Sequence, residues 1–441
     1  MTDEQILALA GDHGVKFVRL QFLDILGVAK NVAIPIRQLG RALANGIMFD
    51  GSSIEGFARI EESDMNLRPV LDSFAILPRS PACDEVEAQL ICDVYTPDGA
   101  PFVGDPRYIL RQAVDRAAEK GLTVKIGLEC EFFLFKKRSG KKVSTATSDQ
   151  GGYFDLSPGD EGEIARREIV MHLEEMGFEV ESSHHETVPG QHEIDFGLAE
   201  ALVVADRFAT LRTVARAVAD AHGLQATFIP KPLIGVDGSG LHTHLALFRS
   251  GENVFFDPDG HARLSETALY FIGGLLSHAR ALTALTNPLV NSYKRLVPGF
   301  EAPFHVSWSA QNRNALVRVP SGRGAETRIE MRAPDPACNP YLALAVMIQA
   351  GLDGVERRLA PPKPVTGHIY RKSQTELAAE GVGRLPNSLR EALDEMAKSE
   401  LVRKAIGQHI FQHFLAAKSI EWDIYRTQVH RWELEQYMGV F

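Results

Sequence analysis

Val124-Lys125-Ile126-Gly127-Leu128-Glu129-Cys130-Glu131-Phe132-Phe133-Leu134-Phe135 is the stretch on which the fold turns. Side chains two apart along a strand point the same way. Val124, Ile126, Leu128, Cys130, Phe132 and Leu134 therefore share one apolar face, and Glu129 and Glu131 stand side by side on the other. Adjacent carboxylates in so apolar a strand repel each other and are costly to desolvate. A bound cation would resolve that cost. So would an edge strand whose carboxylates face water, since charged strand faces are common in antiparallel sheets.

The device recurs. Arg328-Ile329-Glu330-Met331-Arg332 alternates, with three charges on one face and two apolar residues on the other. Leu241-His242-Thr243-His244-Leu245 puts two histidines on one face, and Gln191, Glu193 and Asp195 share a face with Ile194 and Phe196 opposite. Several such strands in one chain imply a sheet whose concave face is an ionic chamber. Carboxylates are hard oxygen ligands suited to magnesium or manganese, and one histidine per site favours manganese or tolerates either. No cysteine accompanies these clusters, which argues against structural zinc, and His184-His185-Glu186 lacks the spacing of a zinc-protease helix.

Arg313, Arg318, Arg323, Arg328 and Arg332 follow within twenty residues. Guanidinium forks suit phosphate and carboxylate. A solvated basic surface is the plainer reading, but Arg328 and Arg332 flank Glu330 on one strand face. Carboxylates, metals and arginines together describe phosphoryl transfer. Neither G-x-x-x-x-G-K-[ST] nor a strand-G-x-G-x-x-G-helix is present, and Gly238-Ser239-Gly240 is a small-residue turn before the histidine strand.

Around these strands the chain alternates helix and strand. The first hundred residues read as short strands and turns, with Val18–Phe22, Val28–Ile36 and Ala88–Tyr95 as strands. A boundary falls near residue 103. Asp105 then caps a helix with Pro106 in its first turn. Ile164–Met176, with apolar residues at 164, 169, 173 and 176, Ala201–Ala221, Tyr341–Val355, Ser388–Ala397 and Ile420–Met438 read as further helices. The class is α+β: a small β-rich domain, 1–103, and a large α+β domain, 104–441.

The 441 residues are 45% apolar and 24% charged, as in an ordinary globular chain. With 47 basic against 57 acidic residues the net charge is −10, a poor footprint for nucleic acid. Cys83, Cys92, Cys130 and Cys338 make no C-x-x-C pair, so a reducing compartment is expected. The acidic N-terminus is unlike a signal peptide. No run of about 18 uninterrupted apolar residues suggests a membrane helix. A cytoplasmic protein is the expectation.

The chain resembles the type I glutamine synthetases over essentially its full length. The matching segments, in family order, are Phe49-Asp50-Gly51-Ser52-Ser53, Glu129-Cys130-Glu131-Phe132-Phe133, Pro189-Gly190-Gln191-His192-Glu193, Lys231-Pro232 with Gly238-Ser239-Gly240-Leu241-His242, Arg295-Leu296-Val297-Pro298-Gly299-Phe300-Glu301-Ala302-Pro303, Asn312-Arg313, and Arg328-Ile329-Glu330-Met331-Arg332 leading to Pro334-Asp335-Pro336. The resemblance implies a β-grasp-like N-terminal domain and a catalytic domain with a curved antiparallel sheet surrounded by helices. It implies that ATP phosphorylates the γ-carboxylate of glutamate and that ammonium then displaces phosphate to give glutamine. Two ions, Mg2+ or Mn2+, are implied per active site, one on Glu131, Glu186 and Glu193, the other on Glu129, His242 and Glu330. By the same resemblance His244, Arg318 and Arg328 bind ATP, Arg313 grips the transferring group, Arg295, Arg332, Gly238 and Ser53 bind substrate, and Asp50 and Glu301 build the ammonium pocket. Glu301 lies in a loop like the family's flap. Members are dodecamers of two stacked hexamers, so Asp50 and Ser53 would act in trans and Trp432–Phe441 would grip the opposite ring.

Asp237 stands where the family usually has Asn, and Phe300 where Tyr is common; Leu128 and Cys130 replace residues that are often proline. A related ligase joining glutamate to an organic amine is the alternative, with the ammonium pocket as the discriminator. His368-Ile369-Tyr370-Arg371-Lys372 lacks the acidic, proline-containing context of an adenylylated loop, so no adenylylation is expected. Arg59 resembles the arginine that mediates glutamine feedback in the shorter subtype, or else makes a surface salt bridge. Some members of that subtype bind a nitrogen-responsive transcription regulator.

Overall fold

The computed structural model describes residues 1–54, 56, 64–79, 85–137, 144–310, 312–367, 376–377 and 380–441; Arg59, Tyr370 and Cys83 lie outside them. Alternating apolar residues build the first sheet from β1 (Phe17–Leu23), β2 (Ala29–Pro35), β3 (Ile47–Asp50), β4 (Asp64–Pro69), β5 (Ala75–Ile76) and β6 (Glu87–Tyr95). Its order is β2-β1-β6-β4-β3, with β5 on β6; β1 and β6 run parallel and the other pairs antiparallel. The first hundred residues are not strands and turns alone. They include α1 (Asp3–Asp12) and α2 (Leu39–Asn45). Thr2 starts α1 through a reciprocal capping box with Gln5. Each helix buries only two residues, Ile6 and Ala10 in one, Leu39 and Ala42 in the other, too few to write a helical period.

The second sheet forms from β7 (Thr123–Lys136), β8 (Val180–His185), β9 (Gln191–Glu200), β10 (Leu224–Thr227), β11 (Leu241–Arg249), β12 (Glu252–Asn253), β14 (Trp308–Ser309), β15 (Val317–Arg318) and β16 (Ile329–Met331). Its order is β14-β15-β16-β11-β7-β9-β8, with β10 on β7 and β12 on β11. A separate ribbon pairs β13 (His305–Val306) with β17 (Gly383–Arg384). The carboxylate strand β7 is thus central, not an edge. Its even-numbered apolar residues enter the main core, while Phe133 and Phe135 on the opposite side pack with Val188.

Helices cover the sheet's apolar face. Asp105 caps α3 (Pro106–Ala118) with Pro106 in its first turn. In α4 (Glu161–Glu175) the core face is Ala165, Ile169 and Leu173, whereas Ile164 is exposed, so that the buried stripe begins one residue later than expected. α5 spans Ala201–Ala221. α6 (Glu266–Thr286) is long and apolar enough by composition to cross a membrane, but it packs in the core on α7 (Pro340–Arg357). A Cβ on Gly354 would lie 2.6 Å from Gly274 Cα, so the crossing needs glycine on both helices. The single helix expected over 420–438 is two, Glu400–Arg426 and Arg431–Tyr437, and the first already begins twenty residues earlier, changing direction at Gly407 (φ 73°). Cys92, Cys130 and Cys338 are buried free thiols.

Candidate active site

Strand register gathers the charged residues. Across β7 and β11, His242 faces Glu129; across β7 and β9, Asp195 faces Glu129 and Glu193 faces Glu131. Glu330 of β16 faces His244 on one side and Arg318 on the other. Residues opposite one another on paired strands share a face, so alternation on five strands converges on one concave surface.

The first cluster is Glu129, His242 and Glu330, with ligand atoms all within 4.8 Å of one another. His242 Nδ1 is 3.1 Å from Glu129 Oε2, and His244 Nε2 is 2.7 Å from Glu129 Oε1. Burial opposes ionisation of Glu129, but the hydrogen bonds with His242 and His244 hold its carboxyl far below the usual range. Burial, then the charge of Arg332, pushes His242 down to about 4, leaving a neutral imidazole with a lone pair to give. Glu330 is wholly buried between Arg318, 2.6 Å away, and Arg332; against the cost of burial, Arg332 holds it ionised.

The second group lies beside it. Glu131 Oε2 accepts hydrogen bonds from Gln191 Nε2 (3.0 Å) and from the Gly240 amide (2.9 Å). Burial, then the charge of Glu186, pushes Glu131 up to about 8. Burial, then Glu131, raises Glu193 strongly as well. His184 reaches both Glu186 (3.7 Å) and Glu193 (3.8 Å). Glu131, Glu186 and Glu193 all face the cavity, but the compact trio here is His184, Glu193 and Asp195. The donors of both groups are carboxylate oxygens and imidazoles without a thiol, and two buried ones, His242 Nε2 and Asp195 Oδ1, have no hydrogen-bond partner among the described residues. That donor set fits hard divalent cations.

Behind this group the buried Asp149 accepts from His185 Nε2 (3.1 Å) and from the Gly190 and Gly151 amides (3.0 Å each). It ties the turn between β8 and β9, and with it Glu186, to a distant segment.

The cavity in front of both groups has a volume of about 510 Å³. Arg313, Arg318 and Arg332 line it with Gly238, Asp237 and Glu301. Arg313 is exposed and hydrogen bonds with Tyr153. Other expected residues stand back. Arg295 is buried behind the wall, its guanidinium donating to the carbonyls of Ala333 (2.7 Å) and Arg332 (3.2 Å). His244 supports Glu129 from behind, and Arg328 sits half-buried just before β16; neither lines the cavity. Asp50 and Ser53 are exposed on the small sheet's rim, and among the described residues none before Glu129 contributes to the wall. Glu301 is exposed on its loop, with its amide donating to Asp237 Oδ1 at 2.9 Å.

Sequence reasoning named neither His184 nor Asp195 as a donor, although Asp195 repeats the two-residue step from Glu193. Tyr153 and Phe154, whose rings pack on His184, come from an irregular segment with no period to read.

Family models match most of the chain: residues 14–97 match the glutamine synthetase β-grasp domain, and 103–437 the glutamine synthetase catalytic domain. The chain is 53% identical over 440 residues to a glutamine synthetase of Clostridium saccharobutylicum, covering 100% of this chain and 99% of that one. It is 54% identical over 444 residues to a glutamine synthetase of Thermus thermophilus, with the same coverage. Among solved structures a GmaS/ADP complex is similar, at a TM-score of 0.88 and 33% identity, covering 98% of this chain and 99% of the other.

Proposed function

The chain belongs to the glutamine synthetase family, and from that premise we propose how its residues divide the work of a ligase that makes glutamine from glutamate, ammonium and ATP with divalent metal. The γ-carboxylate of glutamate attacks the terminal phosphorus of ATP. A carboxyl oxygen–phosphorus bond forms, the bridging phosphorus–oxygen bond breaks, and ADP leaves. Ammonia then attacks the acyl carbon, a carbon–nitrogen bond forms, and phosphate leaves with the acyl oxygen.

In this reading Glu129, His242 and Glu330 hold one Mg2+ or Mn2+, and Glu131, Glu186 and Glu193 the other. Bound there, the ions neutralise charge on the phosphate oxygens. Arg318 and Arg328, with His244, bind the nucleotide phosphates, and Arg313 stabilises the transferring group. Arg332, Arg295 and the Gly238 backbone seat glutamate, Arg295 acting from behind through the strand it braces. Glu301 and Asp50 bind ammonium and accept its proton. Closing the Glu301 loop keeps water from the acyl phosphate.

The observation that carries this reading is that both donor groups, three arginines and the Glu301 loop meet in one cavity.

We further place the division of the chain at 103/104. The small core uses residues 6–102, and α3 begins at Pro106. A homododecamer of two stacked hexamers is part of the proposal, with Asp50 and Ser53 completing a neighbour's site. Two observations support it. Among the described residues, none of the small domain lines the cavity. The chain also exposes 20189 Å², against about 16,600 Å² for a compact monomer of this mass, and Ile420, Ile424, Val429, Trp432, Met438 and Phe441 contribute exposed apolar surface. A cytoplasmic location is proposed from the few cysteines and their lack of a C-x-x-C pair; glutamine feedback through Arg59 and binding of a transcription regulator rest on sequence resemblance.

The test is phosphate release from ATP with Mg2+ and glutamate, with and without ammonium, following the γ-glutamyl product by mass. Ammonium-dependent phosphate matched one for one by glutamine is expected, with Glu131→Gln losing about 100-fold or more. Product only with organic amines would overturn the choice of acceptor.

A further inference from the structure

A second cavity, of about 620 Å³, opens among the helices, and it shares no residue with the cavity of the candidate active site. Gln349 reaches it from α7. That helix is buried without a break from Pro340 to Leu352, and the polar side chains in the run are those of Tyr341 and Gln349. The Tyr341 hydroxyl donates to Asp206 at 2.8 Å. Gln349 is only 7% exposed, yet its amide makes no hydrogen bond among the described residues. A buried amide loses its water at a cost that only a replacement partner offsets. An apolar side chain would suit the rest of this helix better, so a lone amide turned towards a cavity points to a partner that enters from outside.

The charges around Gln349 give that partner its sign. Asp353 is taken by His278 at 2.8 Å and by Arg357 at 3.0 Å. Glu356 pairs with Lys120 at 2.8 Å, and Glu400 with Arg403 at 2.9 Å. The acids of the wall are thus neutralised. Two cations of the wall, Arg116 from α3 and Lys404 from the Glu400–Arg426 helix, have no ion pair among the described residues. On a chain of net charge −10, two cations and a buried amide on three different helices face one cavity as donors without acceptors.

We propose that this cavity is a binding site for a phosphoryl group, with Arg116 and Lys404 supplying charge and the Gln349 amide a hydrogen bond. A phosphate turns its oxygens in tetrahedral directions, enough to meet donors that arrive from three helices, whereas a carboxylate turns two oxygens in one plane. The space exceeds the 510 Å³ of the active-site cavity, so it admits a phosphate monoester with a small organic group as well as free phosphate. No bond is made or broken there. A ligand that ties α3, α7 and the Glu400–Arg426 helix together stabilises the folded chain in proportion to its saturation.

The experiment titrates the full chain, free of metal, with inorganic phosphate and with glycerol 3-phosphate, at an ionic strength held constant with chloride. It reads the dissociation constant by calorimetry and the shift in melting temperature. Arg116→Ala, Lys404→Ala and Gln349→Leu are compared with the parent; none of these residues lines the active-site cavity. Each is expected to weaken phosphoryl binding about tenfold or more, the worth of one charged hydrogen bond. Ammonium-dependent glutamine synthesis should stay within about twofold. Gln349→Leu should melt no lower than the parent without ligand and gain less from it, a pattern that a purely structural glutamine would not give. The two exposed cations carry the test if the leucine variant does not fold.

Tighter binding of glycerol 3-phosphate would identify an organic ester as the occupant, and tighter binding of inorganic phosphate the free ion; both support the site. Binding that all three variants leave unchanged would place the phosphate among the active-site arginines and overturn the proposal. So would the absence of binding by either probe, which leaves water as the partner of Gln349.

Discussion

Glu129 and Glu131 lie two positions apart on one strand and lean to opposite protonation states. Two imidazoles face Glu129 and keep it ionised; carboxylates crowd Glu131, and burial pushes it up to about 8. At pH 7 the metal-free protein therefore keeps a proton on Glu131 that an unfolded chain, with the ordinary carboxylate value near 4.5, does not. A cation requires the ionised form, so binding must expel that proton. Calorimetric titration with Mn2+ at pH 7, in two buffers of different ionisation enthalpy, should show release of about one proton or more. The sign for stability follows from the same shift. The folded metal-free state is favoured by protons, so its melting temperature should fall as pH rises from about 5 towards 8, and saturating metal should remove most of that fall. No proton release would remove the assignment of Glu131 as a ligand. These carboxylates were legible in the sequence because alternation on a strand is simple to read. His184, Tyr153 and Phe154 were not, because what brings them to the cavity is the path of a loop.

At the scale of elements, the turn between β8 and β9 carries Glu186 and leads into Glu193, and Asp149 holds it by accepting from His185, Gly190 and Gly151. Asp149→Ala removes all three bonds without touching a donor. Mn2+ binding, followed by the electron paramagnetic resonance signal of free ion, should weaken about 10–100-fold at the Glu186 site while the Glu129–His242–Glu330 site keeps its affinity. Equal affinity at both sites would show that the strands alone hold the turn. Legibility differed among elements for a physical reason. α5 was readable to its ends because its twenty-one residues bury a full stripe. α1 and α2 were missed because each buries two residues and depends on its cap or its packing. The helix from Glu400 was read only over its last seven residues, Ile420–Arg426; Gly407 interrupts the period of its first part.

Across the whole molecule the two domains are joined by buried polar contacts. Arg107 of α3 makes two hydrogen bonds of 2.9 Å to Asp206 of α5 and one of 2.6 Å to Asp93 of β6. Gln89 of β6 donates to Thr210 of α5 at 2.8 Å, and Arg212 to the Gly27 carbonyl at 3.0 Å. Arg107→Leu leaves the half-buried Asp206 with Tyr341 and the half-buried Asp93 with Arg111 as remaining partners, and should cost about 1.5–3 kcal/mol in chemical denaturation through the lost charged hydrogen bonds. Metal affinity should be unchanged; a variant as stable as the parent would place the joint elsewhere. Such long-range contacts left no trace in the sequence, where Asp93, Arg107 and Asp206 are ordinary surface-type residues. The larger sheet also separates two kinds of heritable change. Its donors sit on paired strands, where a slip of one residue would turn them all to the opposite face. Asp237 and Glu301 sit on loops, where a substitution leaves the ladder as it was. A lineage can therefore try out new nucleophiles in the loops while the activation of glutamate, written in the ladder, passes down unaltered.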